Sequence, residues 1–172
     1  MQSVTEDIHF TAGYADPAPW PELAVSRPDR GWATLLAEDY AGAGGEMTAS
    51  LQYIYHHTVT AGYPDVSEAL EKISVVEMMH MEKLAKAILA LGGDPQFSAR
   101  GMPWYAQNVA YGGGLGEYLH ADLAGEYTAI RCYRAHIEAI EDESVRLLLE
   151  RVIRDEELHV EVFKRLIAKY GL

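Results

Sequence analysis

Two short strings, Glu77-Met-Met-His80 and Glu156-Glu-Leu-His159, each place a carboxylate and an imidazole three residues apart. On a helix such a pair lies about 60° apart around the axis and about 4.5 Å apart along it, close enough to serve one metal ion. A single pair of this kind is common by chance. Here both interrupt apolar stripes. Leu70, Ile73, Glu77, His80, Leu84, Ile88 and Leu91 form one stripe. Leu149, Val152, Ile153, Glu156, His159, Val160, Phe163, Leu166 and Ile167 form the other. Two further glutamates occupy core positions. Glu126 sits among Leu119, Leu123, Ile130, Tyr133, Ile137 and Ile140, and Glu46 shares a face with Leu35, Ala49, Ser50 and Tyr53.

An unpaired carboxylate inside a protein core costs several kcal/mol, and four together need positive charge. Two divalent cations balance four glutamates, with the two histidines binding as neutral imidazoles. The expected metal ligands are therefore Glu46, Glu77, His80, Glu126, Glu156 and His159. The spacing assigns Glu77 with His80 to one ion and Glu156 with His159 to the other, leaving Glu46 and Glu126 to bridge. The halves also repeat: Glu46 to Tyr53 and Glu126 to Tyr133 both span seven residues, while Glu46 to Glu77 spans 31 and Glu126 to Glu156 spans 30. Carboxylate and imidazole donors suit manganese or iron.

Four long helices must carry these residues, over Gly31 to Thr58, Val66 to Leu91, Gly116 to Ile140 and Glu143 to Tyr170. Asp29 is placed to cap the first. Asp65 with Glu68 reads as a capping box for the second, which Gly92 and Gly93 end. Short turns join the first two and the last two helices, and the 22-residue stretch "GGDPQFSARGMPWYAQNVAYGG" separates the pairs. Two tight hairpins joined by one long crossover give an all-α, ferritin-like four-helix bundle. Residues 1–30, punctuated by Pro17, Pro19, Pro21 and Pro28, read as an extended N-terminal arm before the bundle at 31–172.

With those motifs in place the chain resembles the ferritin-like dimetal proteins, closest to manganese catalases and their spore-coat relatives, with rubrerythrin nearby. "LLAEDYAGAGGEMTASLQYIY", "VVEMMHMEKLAKAILALGGDP" and "ADLAGEYTAIRCYRAHIEAIEDESVRLLLERVIRDEELHVEVFKRL" carry the resemblance. It implies the same six ligands, with Tyr53 and Tyr133 as tyrosines that hydrogen-bond ligand carboxylates. It also implies a homo-oligomer, dimer or larger. No Cys-x-x-Cys pair is present, so a rubrerythrin-like peroxidase would draw on an external electron donor. A metal pair exchanging two electrons can disproportionate hydrogen peroxide without one. Catalase-like turnover is therefore the expected activity. The alternatives are a peroxidase or ferroxidase using peroxide or dioxygen, an iron-binding ferritin-like protein, and a structural spore-coat-type protein.

The totals agree. The formal charge of −12, from 26 acids and 14 bases, opposes binding to nucleic acid or anionic membranes. No apolar run approaches a membrane span and no secretory signal opens the chain, which points to the cytoplasm, with a spore coat as the alternative. One cysteine, Cys132, excludes an internal disulfide and reads as a small buried residue. Glu157 and His120 read as surface residues and His57 as a cap at the bundle end. His9, His56 and His136 have no partner legible in the sequence. The methionines of "EMMHM" read as packing, so no haem is expected. "AGAGGEM" is not a phosphate loop, because a helix rather than a strand precedes it. Its glycines either admit a neighbouring helix or open room beside the metals.

Overall fold

A computed structural model describes residues 10–172; His9 and the start of the arm lie outside them. Five α-helices follow residues 10–29: α1 Arg30–Ala41, α2 Glu46–Val59, α3 Pro64–Ala90, α4 Leu115–Ala139 and α5 Glu143–Tyr170. Helices α2 to α5 form the ferritin-like four-helix bundle. The crossover between α3 and α4 carries a minimal antiparallel hairpin, β1 Ser98–Ala99 with β2 Met102–Pro103, and a short 3₁₀ turn at Ala106–Asn108.

The ends of the helices follow from local chemistry. Asp29 caps α1 by accepting from the Gly31 and Trp32 amides. Asp142 caps α5 through Ser144 and Val145, and Gly171 ends that helix in the left-handed region at φ 67°. At α3 the expected capping box is replaced. Pro64 occupies the first turn and Tyr63 is the cap residue, with no side-chain bond. Pro64 has no amide hydrogen to satisfy, and its fixed φ suits a helix start. Asp65 is then free to accept from Lys169 and Tyr170 at the end of α5.

The expected single helix from Gly31 to Thr58 is in fact two, broken at residues 42–45. The Gly42 amide closes α1 on the Glu38 carbonyl, and Gly45 is the cap residue of α2. A Cβ at Gly42 would overlap the Glu38 carbonyl oxygen, and one at Gly45 would overlap the carbonyl oxygens of Asp39 and Glu38. These two glycines serve neither a neighbouring helix nor an open space; the chain doubles back on its own preceding turn. Gly44 differs, since a Cβ there would meet only Thr128 Cγ2, at 3.8 Å. Gly42→Ala and Gly45→Ala should therefore each destabilise the fold by about 1–3 kcal/mol, while Gly44→Ala stays within about 0.5 kcal/mol of the parent. Thermal unfolding of the three variants checks this ranking.

Two apolar clusters fill the bundle. One joins Leu36, Tyr40, Leu84, Ile88, Ile130, Val145 and Leu149. The other joins Val66, Leu70, Ile73, Leu119, Phe163 and Leu166. Between them, at the level of Glu46, Glu77, Glu126 and Glu156, lies a layer of buried polar side chains. No helix among the described residues is long and apolar enough to cross a membrane.

Candidate metal centre

All six expected side chains converge in that layer, each no more than 2% exposed. Their ligand atoms form two groups of four, each within 4.8 Å: Glu46, Glu77, His80 and Glu156, then Glu77, Glu126, Glu156 and His159. His80 Nδ1 lies 3.0 Å from Glu77 Oε2, 3.2 Å from Glu156 Oε1 and 3.4 Å from Glu46 Oε2. His159 Nδ1 lies 2.9 Å from Glu77 Oε1, 3.0 Å from Glu156 Oε2 and 3.5 Å from Glu126 Oε1. The carboxylates common to both groups are thus Glu77 and Glu156, not Glu46 and Glu126. The Glu-x-x-His helices α3 and α5 each present a glutamate between the two positions. Glu46 and Glu126 approach from opposite sides, one to each group.

The surroundings fix these side chains. His159 Nε2 lies 2.9 Å from the Tyr14 carbonyl, which can only accept, so the neutral ring keeps its proton on Nε2 and turns Nδ1 to the glutamates. His80 Nε2 lies 3.0 Å from Asp155 Oδ2, with the same result. Tyr53 donates to Glu126 Oε1 at 2.6 Å, and Tyr133 donates to Glu46 Oε1. Glu46 is the first residue of α2, where the positive end of the helix dipole favours a carboxylate.

The electrostatics are those of crowded acids. Burial, then repulsion from Glu77 and Glu156, raises the Glu46 carboxyl well above its ordinary value. Burial, then Glu156 and Glu77, does the same to Glu126. Burial alone would lower His80 and His159, yet the surrounding carboxylates hold both well above the ordinary imidazole value. Three buried carboxylate oxygens, Glu46 Oε2, Glu77 Oε1 and Glu156 Oε1, face only the imidazole Nδ1 atoms of His80 and His159. With both imidazoles neutral, as cation binding requires, these oxygens and the two Nδ1 atoms are the donor set that fits a pair of divalent cations.

The two halves are not equivalent. Asp155 reaches across from the residue before Glu156 to His80, and Arg151 Nη1 holds it at 2.6 Å. The matching position before Glu77 is Val76, fully buried and apolar. The arm supplies the missing partner through Tyr14, while Trp20 packs edge-on to His80 and under Arg151. Residues 10–29 therefore close one side of the centre on this same chain.

The other side opens into a cavity of about 460 Å³. It runs from Glu46, Glu77, Glu126 and Glu156 past the 42–45 break to the crossover hairpin. Arg100, with φ 50°, aims its guanidinium at Glu38 in two bonds of 2.6 and 2.8 Å, and Trp104 donates to Thr48 at 2.9 Å. Those contacts pin the crossover over α1 and α2.

Several expectations about single residues change. Cys132 is exposed and lines this cavity, because it lies one residue off the α4 stripe. His56 is fully buried, with Nδ1 2.8 Å from Asp122 and Nε2 2.8 Å from the Ala110 carbonyl. Gln52 completes that network by donating to Asp122 at 2.8 Å. His136 pairs with Asp39 at 2.7 Å. His57 bonds Ser67 at the α2–α3 turn, while Glu157 and His120 are exposed. Asp155 and Asp122 escaped the sequence reading although spacing marked both. Leu148, Arg151, Asp155, His159 and Val162 follow a three-four rhythm, as do Leu119, Asp122 and Glu126.

Known proteins resemble the chain in sequence and in fold. A family profile described as a ferritin-like domain matches residues 43–171, and the chain belongs to that family. A bacterioferritin of Mycobacterium leprae is 30% identical over 131 residues, covering 73% of this chain and 79% of its own. A protein of Clostridium acetobutylicum named probable manganese catalase is 24% identical over 170 residues, covering 86% and 75%. The crystal structure of KatB, a manganese catalase from Anabaena, superposes with a TM-score of 0.83 at 24% identity, over 91% of this chain and 80% of that one. Rhodobacter capsulatus bacterioferritin gives 0.70 at 27% identity, over 84% and 88%.

Proposed function

We propose that the chain is a dinuclear oxidoreductase that holds two manganese or iron ions on Glu46, Glu77, His80, Glu126, Glu156 and His159 and disproportionates hydrogen peroxide. The observation that carries the proposal is the convergence of four buried carboxylates and two imidazole Nδ1 atoms into two groups sharing Glu77 and Glu156. Two adjacent ions supply two electrons as a unit, the number needed both to reduce peroxide and to oxidise it. The protein's part is positional. Glu77 and Glu156 would contribute to both ions, Tyr53 and Tyr133 hold the carboxylates of Glu126 and Glu46, and the arm covers the histidines from behind. The cavity admits a small neutral molecule from the opposite side. Likeness to KatB in fold and to the named catalase in sequence supports this reading.

The bacterioferritin relatives favour a second reading, ferrous iron oxidation and storage at the same centre. One experiment separates the two. Protein loaded with manganese or with iron is given peroxide under an oxygen electrode, and in parallel ferrous iron and air. Oxygen release in proportion to peroxide supports the catalase. Ferric mineral without oxygen release supports storage.

Acid should release the metals early. Glu46 and Glu126 are raised, so they retain protons to higher pH than ordinary carboxylates, and each bound ion must displace those protons. Affinity therefore falls as pH falls, starting above the usual carboxylate range of about 4. Metal retained after dialysis across a pH series checks the direction, and retention independent of pH would contradict it.

A further inference from the structure

The cavity is far larger than its proposed substrate needs. Hydrogen peroxide fills roughly 60 Å³, about twice the share of a water. The 460 Å³ present falls among pockets that take whole organic ligands, about 300–1,000 Å³. Its walls are mostly small and apolar: Ala41, Ala49, Ala99, Pro103 and Ala129. Among the described residues Arg100 is the sole lysine or arginine lining it, and Glu38 already holds that guanidinium in two bonds. His136 is likewise paired, with Asp39, so among the described residues an organic anion finds no unpaired cation there. With two divalent ions on its floor the four glutamates are balanced, so an organic cation gains nothing either.

A histidine–aspartate pair also faces this space. His136 lines the cavity, with Nδ1 2.7 Å from Asp39 Oδ2. Its Nε2 makes no hydrogen bond among the described residues. Asp39 is only 5% exposed and sits behind the imidazole as the group that orients it. A carboxylate behind one ring nitrogen, with the other left free, is the arrangement of a general base.

We propose that the cavity binds a small, uncharged phenolic reductant of the hydroquinone type, with His136 taking its proton and Asp39 as the positioning residue. The inference rests on the dinuclear centre proposed above and adds a second substrate to it. The hydroquinone loses two electrons and two protons to become the quinone. Hydrogen peroxide accepts two electrons and two protons, its O–O bond breaks, and two waters leave. No other oxidant or reductant is required.

The test uses the full chain as purified. Hydroquinone is titrated into the parent and into Gly44→Leu by calorimetry, with metal content measured on the same samples. Gly44 lines the cavity, and a Cβ there meets only Thr128 Cγ2, at 3.8 Å, so a leucine adds bulk to this wall. Saturable binding by the parent, weakened roughly tenfold or more in Gly44→Leu at unchanged metal content, is the expected result. No saturable binding, or binding that Gly44→Leu leaves intact, overturns the proposal. Peroxide-dependent quinone formation provides the second arm. His136→Gln should lower kcat roughly a hundredfold with little change in KM. It should also abolish the rise of rate with pH as the imidazole loses its proton. That rise falls above the ordinary histidine value, because the bond to Asp39 and the charges of Asp39 and Glu38 raise His136 against burial and Arg100. Quinone formation unaffected by His136→Gln would remove the assigned base. If the chain carries no metal, the dinuclear reading fails by itself, while the calorimetric arm still decides whether the cavity binds a hydroquinone.

Discussion

Glu77→Gln and Glu156→Gln should each abolish binding of both metal ions, whereas Glu46→Gln and Glu126→Gln should each cost one. Glu77 and Glu156 offer an oxygen to both groups, while Glu46 and Glu126 each serve a single group. Replacing a shared carboxylate leaves both positions one charge and one donor short. Breaking one member of a buried charged set costs about 3–5 kcal/mol, which is roughly two to four decades in affinity. Metal analysis of dialysed protein reads the outcome directly. A Glu77→Gln protein that keeps one ion while Glu46→Gln loses both would return the bridging role to Glu46.

The second large effect is predicted at Asp155. This fully buried carboxylate holds His80 Nε2 at 3.0 Å, Arg151 Nη1 at 2.6 Å and the Asp16 amide at 2.6 Å. Asp155→Ala strands all three partners inside the protein and should cost about 3–5 kcal/mol of stability. Asp155→Asn preserves the shape and isolates the electronic effect. It should weaken the ion next to His80 by roughly 10–100-fold and leave the ion next to His159 unchanged, because Tyr14 serves that histidine instead. Stepwise calorimetric titration of metal into Asp155→Asn should therefore show one normal and one weakened phase. Two equally weakened phases would show that the halves are not independent.

The sequence made the bundle and its six polar core residues legible because a helix reports its buried face through period alone. Glu77, His80, Glu126, Glu156 and His159 stood out as interruptions of long stripes. The roles of the glutamates were not legible. Whether Glu46 or Glu77 spans the centre depends on how far each helix is rotated and displaced against its neighbours, which periodicity does not record. The break at Gly42 to Gly45 leaves no mark on the period, because the stripe through Leu35 and Glu46 passes across it in phase. Only the backbone overlap at Gly42 and Gly45 shows why glycine is required there. The arm and the crossover have no period at all. Their contributions, the Tyr14 carbonyl and the hairpin over the cavity, are made by backbone placement. Asp65 shows the opposite failure, a sound local signal displaced by Pro64 and claimed by a distant helix.

Anomalous diffraction from crystals of the protein loaded with manganese should show two peaks per chain about 3.5–4 Å apart, one beside His80 and Glu46, the other beside His159 and Glu126, with Glu77 and Glu156 next to both. A single peak, or none, at those six side chains would contradict the dinuclear centre.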